Sequence, residues 1–295
     1  MRALITGGQG FVGRHLSAHL EANGDEVTVV DLDVDVTDPA AVAAAITGAS
    51  PEVIYHLAAL SHVGDSWNDP SRVLSVNVVG TANVLAGARQ IEGDPLTMVI
   101  SSAEVYGIVQ PSELPLTEES EVKPATPYAA SKAAAEQVAL QAVRGFGQRV
   151  IVVRPFNHVG PGQPPNFAVP ALAKRIVEAA VDGRSTLPVG NLSSRRDFTD
   201  VRDVVAAYRL LASAGRSGEI YNVCSGVDVE IAVVARRLLA LAGTDLTLEQ
   251  DPALARPVDI PVLRGDAGKL ISATGWTPTI PLDQTLRDVL DSFEI

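Results

Sequence analysis

The sequence predicts an α/β protein: a doubly wound parallel sheet with a smaller α/β domain carried by the second half of the chain. Three observations predict it. Short β-branched runs alternate with longer Ala/Leu-rich runs over the first half. A glycine-rich stretch, TGGQGFVG (6–13), lies where the first run gives way to the second. The rhythm then breaks after Arg154 in a Pro/Gly-rich segment.

In chain order, RALIT (2–6), EVTVVDL (26–32), EVIYHLA (52–58), TMVIS (97–101) and RVIVVRP (149–155) are continuous apolar runs, the pattern of strands covered on both faces. Between them GRHLSAHLEANG (13–24), PAAVAAAITG (39–48), SRVLSVNVVGTANVLAGARQ (71–90) and PYAASKAAAEQVALQAVRGFG (127–147) carry apolar residues at helical spacing, several ending in Gly. PFNHVGPGQPPNFAVP (155–170) reads as a long loop leaving the sheet. Two further strand-like pieces, TLPVG (186–190) and EIYNV (219–223), follow among helices, and some of these segments are expected to return to the sheet. The division expected is residues 1–156 plus 196–223 for a dinucleotide-binding domain and 157–195 plus 224–295 for a substrate domain.

At 295 residues and 46% hydrophobic, the chain can bury a large core. A net charge of −12 argues against a nucleic-acid surface. The lone cysteine, Cys224, makes no internal disulfide or metal cluster and fits a reducing compartment; no metal is expected. The chain reads directly into a strand with no signal-like segment. Its longest apolar stretch, IAVVARRLLALAG (231–243), is broken by arginines, so a soluble cytoplasmic protein with no membrane partner is expected.

Gly7, Gly10 and Gly13 recur at three-residue intervals between a strand and a helix. Glycine there lets the backbone approach a pyrophosphate, whose charge rests on the helix N-terminus, so a Rossmann-type dinucleotide site is expected. The second strand ends in Asp31, placed to accept hydrogen bonds from a ribose diol and to repel a 2′-phosphate. NAD(H) is therefore favoured and NADP(H) possible, with Asp33 the alternative ligand. In ISSAEVYG (100–107), Ser102, Glu104 and Tyr106 crowd the end of a strand; in PYAASK (127–132), Tyr128 and Lys132 share a helix face. An ammonium and a positively charged nicotinamide beside the phenol should lower its pKa and make Tyr128 a usable acid/base, with Ser102 a second donor to the substrate oxygen.

TGGQGFVG, HLAA, SSAEVYG, PYAASK and RPFNHVGPG together resemble the extended short-chain dehydrogenases/reductases that act on nucleotide sugars, over nearly the whole chain. The resemblance implies a catalytic set of Ser102, Tyr128 and Lys132 and a cofactor cleft lined by Phe11, Val12, Asp35, Val36, Leu57, Ala58, Ala59 and Pro155. It implies nucleotide-sugar contacts at Asn157, Lys174, Arg196 and Arg256, for which an ordinary surface ion pair is the alternative at the two arginines. Pairs of helices from two subunits form a dimer in such proteins, so a homodimer is expected. RPFNHVGPGQ, VGNLSSRRDFTDVRD, YNVCSG and TGWTPTIPL are most similar to the subgroup that reduces GDP-4-keto-6-deoxy-D-mannose; many relatives have tyrosine where His158 stands.

Glu104 is the ambiguous residue. The family's dehydratases use a glutamate here as base, with Asp or Ser beside it and commonly Thr where Ser102 stands. Here the neighbour is Ala103, which can neither give nor take a proton, while epimerases typically carry a small uncharged residue in place of Glu104. Glu104 is expected either to bond a sugar hydroxyl or to cap loop amides. A GDP-linked sugar reductase is the leading expectation. A 4-epimerase, a 4,6-dehydratase or a non-catalytic NAD sensor on the same fold stand as alternatives.

Overall fold

The computed structural model describes residues 1–251, 254 and 260–293. The five apolar runs form β1 (Arg2–Thr6), β2 (Glu26–Val30), β3 (Val53–His56), β4 (Leu96–Ile100) and β5 (Val150–Pro155). The helical runs form α1 (Phe11–Ala22), α2 (Pro39–Ala49), α3 (Pro70–Leu74), α4 (Gly80–Ala88) and α5 (Pro127–Phe146), with a π-helical turn at Ser75–Val79 joining α3 to α4. Local chemistry sets their starts. Asp38 accepts the amides of Ala40 and Ala41 ahead of Pro39, and Thr126 accepts that of Ala129 ahead of Pro127.

Beyond β5 come β6 (Asn157–Val159), α6 (Ala168–Val181), β7 (Thr186–Val189), β8 (Arg195–Asp200), α7 (Val201–Ala214) and β9 (Ile220–Val223). They are followed by β10 (Asp228–Glu230), α8 (Ile231–Leu241), β11 (Thr247–Gln250), β12 (Val262–Leu263), α9 (Gly268–Thr274) and α10 (Leu282–Asp291). The main sheet is parallel and six-stranded, in the order β2-β1-β3-β4-β5-β9. The order in which strands are laid down reverses between β1 and β3, and the crevice at that switch is where such sheets bind ligands. Both strand-like pieces of the second half form, and one of them, β9, returns to the main sheet beside β5.

One expectation fails at β2. The apolar run predicts a strand covered on both faces, but β2 is the edge strand, with Val29 37% exposed and Leu32 just after it 97% exposed. An apolar run reports β propensity as well as burial, and nothing flanks β2 on its outer side in the sheet. β3, β4 and β5 are buried throughout, as expected.

The second half builds its own small layers. β6 and β12 pair with β8 in parallel, β10 pairs with it antiparallel, and β7 pairs with β11. α6, α8 and α10 bury Leu172, Ile176, Val234, Leu238, Leu286 and Val289 in a second core. β8 reads RRDFTD and is nonetheless largely buried. Its Asp197 accepts the amides of Ser225, Gly226 and Gly265, and Asp200 caps α7 while pairing Arg202.

Candidate active site

Gly7 has φ +70°, and a Cβ there would lie 2.7 Å from the Ala58 amide nitrogen; at Gly13 it would lie 2.5 Å from the Gly7 carbonyl. The first glycine thus permits the turn against β3, and the third lets α1 pack onto it. A Cβ on Gly10 would meet only the Gly7 carbonyl, at 3.1 Å, and would otherwise fill open space above the helix N-terminus. No side chain caps that end of α1, so the amides of its first turn, from Phe11 and Val12, remain available to an anion. A dinucleotide pyrophosphate fits this cradle. Asp31 lies at the end of β2 and accepts the Gln9 amide, while Asp33 accepts the Asp31 amide. The two carboxylates are therefore neighbours at the mouth of the turn.

The remaining cofactor candidates separate into two groups. Leu57, Ala58 and Ala59 follow β3 and are half-buried beside Gly7; the Leu57 amide is held by the Thr6 carbonyl and that of Ala58 by the Thr6 hydroxyl. Asp35 is exposed, and the Thr37 amide and hydroxyl hold its carboxyl below the usual range. Val36 is buried under α4, where a Cβ on Gly80 would approach it to 2.8 Å. Pro155 ends β5, buried.

Ser102, Glu104, Tyr128 and Lys132 are brought together. Ser102 caps the 3₁₀ turn at Ala103–Tyr106 by accepting the Glu104 amide, and its hydroxyl is hydrogen-bonded to that of Tyr128. The Glu104 carboxylate acts on the same phenol, raising its pKa. Lys132 is buried, and its amine donates to the Ile100 carbonyl at 2.7 Å.

Burial dominates the phenol of the chain by itself. Burial pushes Tyr128 up to about 12, assisted by Glu104 and only partly opposed by Ser102. Burial also brings Lys132 down to about 8 despite Glu136 one turn along, which leaves its amine largely an ammonium at neutral pH. Tyr128 is therefore a protonated phenol at neutral pH.

Sequence reasoning did not single out His56. Its Nδ1 lies 2.8 Å from the Thr6 hydroxyl and its Nε2 3.1 Å from the Thr81 hydroxyl. The Thr81 hydroxyl donates to the Asn77 carbonyl, so it must accept from His56 Nε2–H, and Nδ1 accepts from Thr6. Burial and the Lys132 charge keep this ring neutral, with a pKa brought down to about 3. Asn77, in the π turn, donates to the Ser131 hydroxyl and to the Leu60 carbonyl; Ser131 donates to the Tyr128 carbonyl. The crevice wall is thereby tied to the first turn of α5. A long apolar run hides such a histidine, and only its position at a strand end signals it.

The substrate-side candidates are scattered. Asn157 begins β6, half-buried, opposite Phe198. His158 stacks on Phe11, centroids 6.2 Å apart, and burial lowers its pKa. The following loop clamps α1 through Pro161 to His15 and Gly162 to Arg14. His62 crosses from the loop after β3 to the Asn166 carbonyl, 3.1 Å away, and packs edge-on to Phe167. Arg196 is buried on β8 and donates to the Arg195 carbonyl. Lys174 is exposed on α6, paired with Glu178, and lines a groove with Arg184 and Phe293 that none of the four clustered residues enters. Arg256 lies outside the described residues.

Residues 3–224 match the NAD dependent epimerase/dehydratase family. The chain belongs to that family. It is 37% identical to the GDP-6-deoxy-D-mannose reductase of Pseudomonas aeruginosa over 99% of this chain and 97% of that one. It is 34% identical to the GDP-6-deoxy-D-talose 4-dehydrogenase of Aggregatibacter actinomycetemcomitans over 93% and 92%. A solved structure of RMD from Pseudomonas aeruginosa, complexed with NADPH, superposes with a TM-score of 0.91 at 36% identity, covering 99% of each chain. This family member thus shares the fold of that enzyme.

Proposed function

We propose that this family member reduces a GDP-linked 4-keto-6-deoxy sugar to the corresponding 6-deoxy-hexose. One observation carries the reading: a buried phenol hydrogen-bonded to Ser102, with Lys132 one turn along the same face of α5. Reduction of a ketone requires a proton at the oxygen as carbon gains hydride, and a neutral phenol is the group to give it. A dinucleotide held by its pyrophosphate at the glycine turn would supply the hydride. Tyr128 protonates the developing alkoxide, the Ser102 hydroxyl donates a second hydrogen bond, and Lys132 holds the nicotinamide ribose. Ala103, buried and without a proton to exchange, leaves Glu104 unassisted for an elimination. The relationship to a GDP-6-deoxy-D-mannose reductase supports the same substrate class.

The cofactor we favour is NADH, on Asp31 and Asp33. Asn157 and Arg196 are assigned to the nucleotide sugar, with Lys174 the weakest of the set because its groove is elsewhere. The division we propose gives residues 1–156 plus 196–223 to the dinucleotide and 157–195 plus 224–295 to the sugar; the separate core of α6, α8 and α10 supports it, while Ile260, Leu263, Leu270 and Trp276 pack instead into the core of the dinucleotide part. We place a homodimer on the outer faces of α5 and of the π turn that leads into α4, where Phe146 and Val79 are exposed. The test is NADH or NADPH oxidation, followed at 340 nm, on mixing with GDP-4-keto-6-deoxymannose; no oxidation with either cofactor removes the reading.

A further inference from the structure

Behind the candidate site lies a buried ion pair that none of the assigned roles uses. Glu136 and Arg154 are 1% and 3% exposed, joined by Nη2–Oε2 at 2.7 Å and Nε–Oε1 at 2.9 Å. The same Oε1 accepts the Ser101 hydroxyl at 2.5 Å. Arg154 also donates to the Tyr106 hydroxyl and the Glu118 carbonyl, and Tyr106 donates to Asn222 on β9. Burying two charges costs several kcal/mol per ion before their attraction is counted, and apolar residues of similar size often replace such a pair without loss. What an apolar replacement would not reproduce is the grip on β4. α5 holds the carboxyl end of that strand at consecutive residues, Ile100 through Lys132 and Ser101 through Glu136. The next residue is Ser102.

We propose that Glu136 is a positioning residue, which sets Ser102 through Ser101 and stands as the buried anion one turn from Lys132 on α5. The role of Ser102 and Lys132 as working groups rests on the function proposed above; the grip itself does not. The groups facing Lys132 are Tyr128 and Glu136 on its own helix, His56 from β3 and, beyond the phenol, Glu104 from the 3₁₀ turn and Tyr208 from α7. Of these, Glu136 is the anion that favours the ammonium directly.

Two variants test this. Ser101→Ala leaves the ion pair intact and removes only the link to Ser102. It should lower kcat roughly tenfold or more, as a small misplacement of a reacting group does, with KM for sugar and cofactor unchanged. Glu136→Gln keeps shape and an acceptor but not the charge, so the Lys132 titration, followed by ¹⁵N-lysine NMR of the protein alone and assigned with Lys132→Met, should move to lower pH. In Ser101→Ala that midpoint should stay where it is. If Glu136→Gln fails to fold, the double change with Arg154→Met removes both buried charges and should show a downward movement, smaller because the opposing Arg154 charge goes too. An unmoved midpoint in a folded Glu136 variant, or an unchanged kcat in Ser101→Ala, overturns the proposal. If the wild type oxidises no cofactor with the keto sugar, the functional reading fails while the NMR result still decides the grip.

Discussion

Asp31 accepts the Gln9 amide at 2.8 Å through one carboxylate oxygen and the Leu32 amide at 2.9 Å through the other. The group assigned to the ribose diol is thus also a brace of the glycine turn. Asp31→Ala should therefore raise KM for both cofactors by loosening the turn, and it should narrow the preference for NADH, because the repulsion of a 2′-phosphate goes with the charge. The ratio of kcat/KM for NADH over NADPH measures the second effect free of the first. A wild type that strongly prefers NADPH would remove Asp31 from the ribose.

Much of this was legible in the sequence because the signals are local. Five apolar runs, a glycine spacing and apolar residues at helical spacing placed β1 to β5, α1 and α5, and with them Ser102, Tyr128 and Lys132. What was not legible depends on neighbours brought from far along the chain. β8 carries four charged residues and no alternation, and it is buried because Ser225, Gly226 and Gly265 supply donors to Asp197. The direction of the Tyr128 shift likewise depends on burial, which no spacing reports. β2 showed the converse error, an apolar run that tertiary placement left at an edge.

Lys132 gives a stability prediction. Its pKa in the folded protein is about 8 against an ordinary 10.5, so between those values the unfolded chain binds more protons than the native one. Stability should then rise with pH through that window, the cost of charging the buried amine being fully present below pH 8 and absent above 10.5. At about 1.4 kcal/mol per unit the span is on the order of 3 kcal/mol. Lys132→Met should abolish this pH-dependent gain together with activity. Thermal unfolding of both proteins across pH 7 to 10 checks it, and parallel curves would show that the amine is solvated.

The homodimer proposal has a separate test. Val79 is 47% exposed in the π turn and Leu74, 44% exposed, lies one turn before it; Phe146 is 58% exposed at the end of α5. Val79→Asp would bury an unpaired carboxylate in an interface built on these faces, at a cost of several kcal/mol. Sedimentation at micromolar concentration should show a dimer for the wild type and a monomer for the variant. A monomeric wild type ends the proposal.

Glu104 remains the residue on which reduction and elimination differ. Its amide donates to Ser102 and its charge reaches Tyr128, so it belongs to the site whichever reaction runs there. For a reductase, Tyr128→Phe removes the proton donor and should cost on the order of 10²–10⁴-fold in kcat. Glu104→Gln keeps the shape and a hydrogen-bonding oxygen, so it should change KM for the sugar more than kcat. By removing a neighbouring negative charge it should also let the Tyr128 pKa fall. Ala103→Asp places an acid beside Glu104 and should give reduction no gain. An elimination needs the carboxylate itself to take a proton from the sugar, and there Glu104→Gln would be as damaging as Tyr128→Phe. Measuring both variants with the keto sugar and NADH, and the wild type with GDP-mannose and no added cofactor, separates the two. Equal losses in the variants, with GDP-mannose consumed, would make Glu104 the base and end the reductase reading.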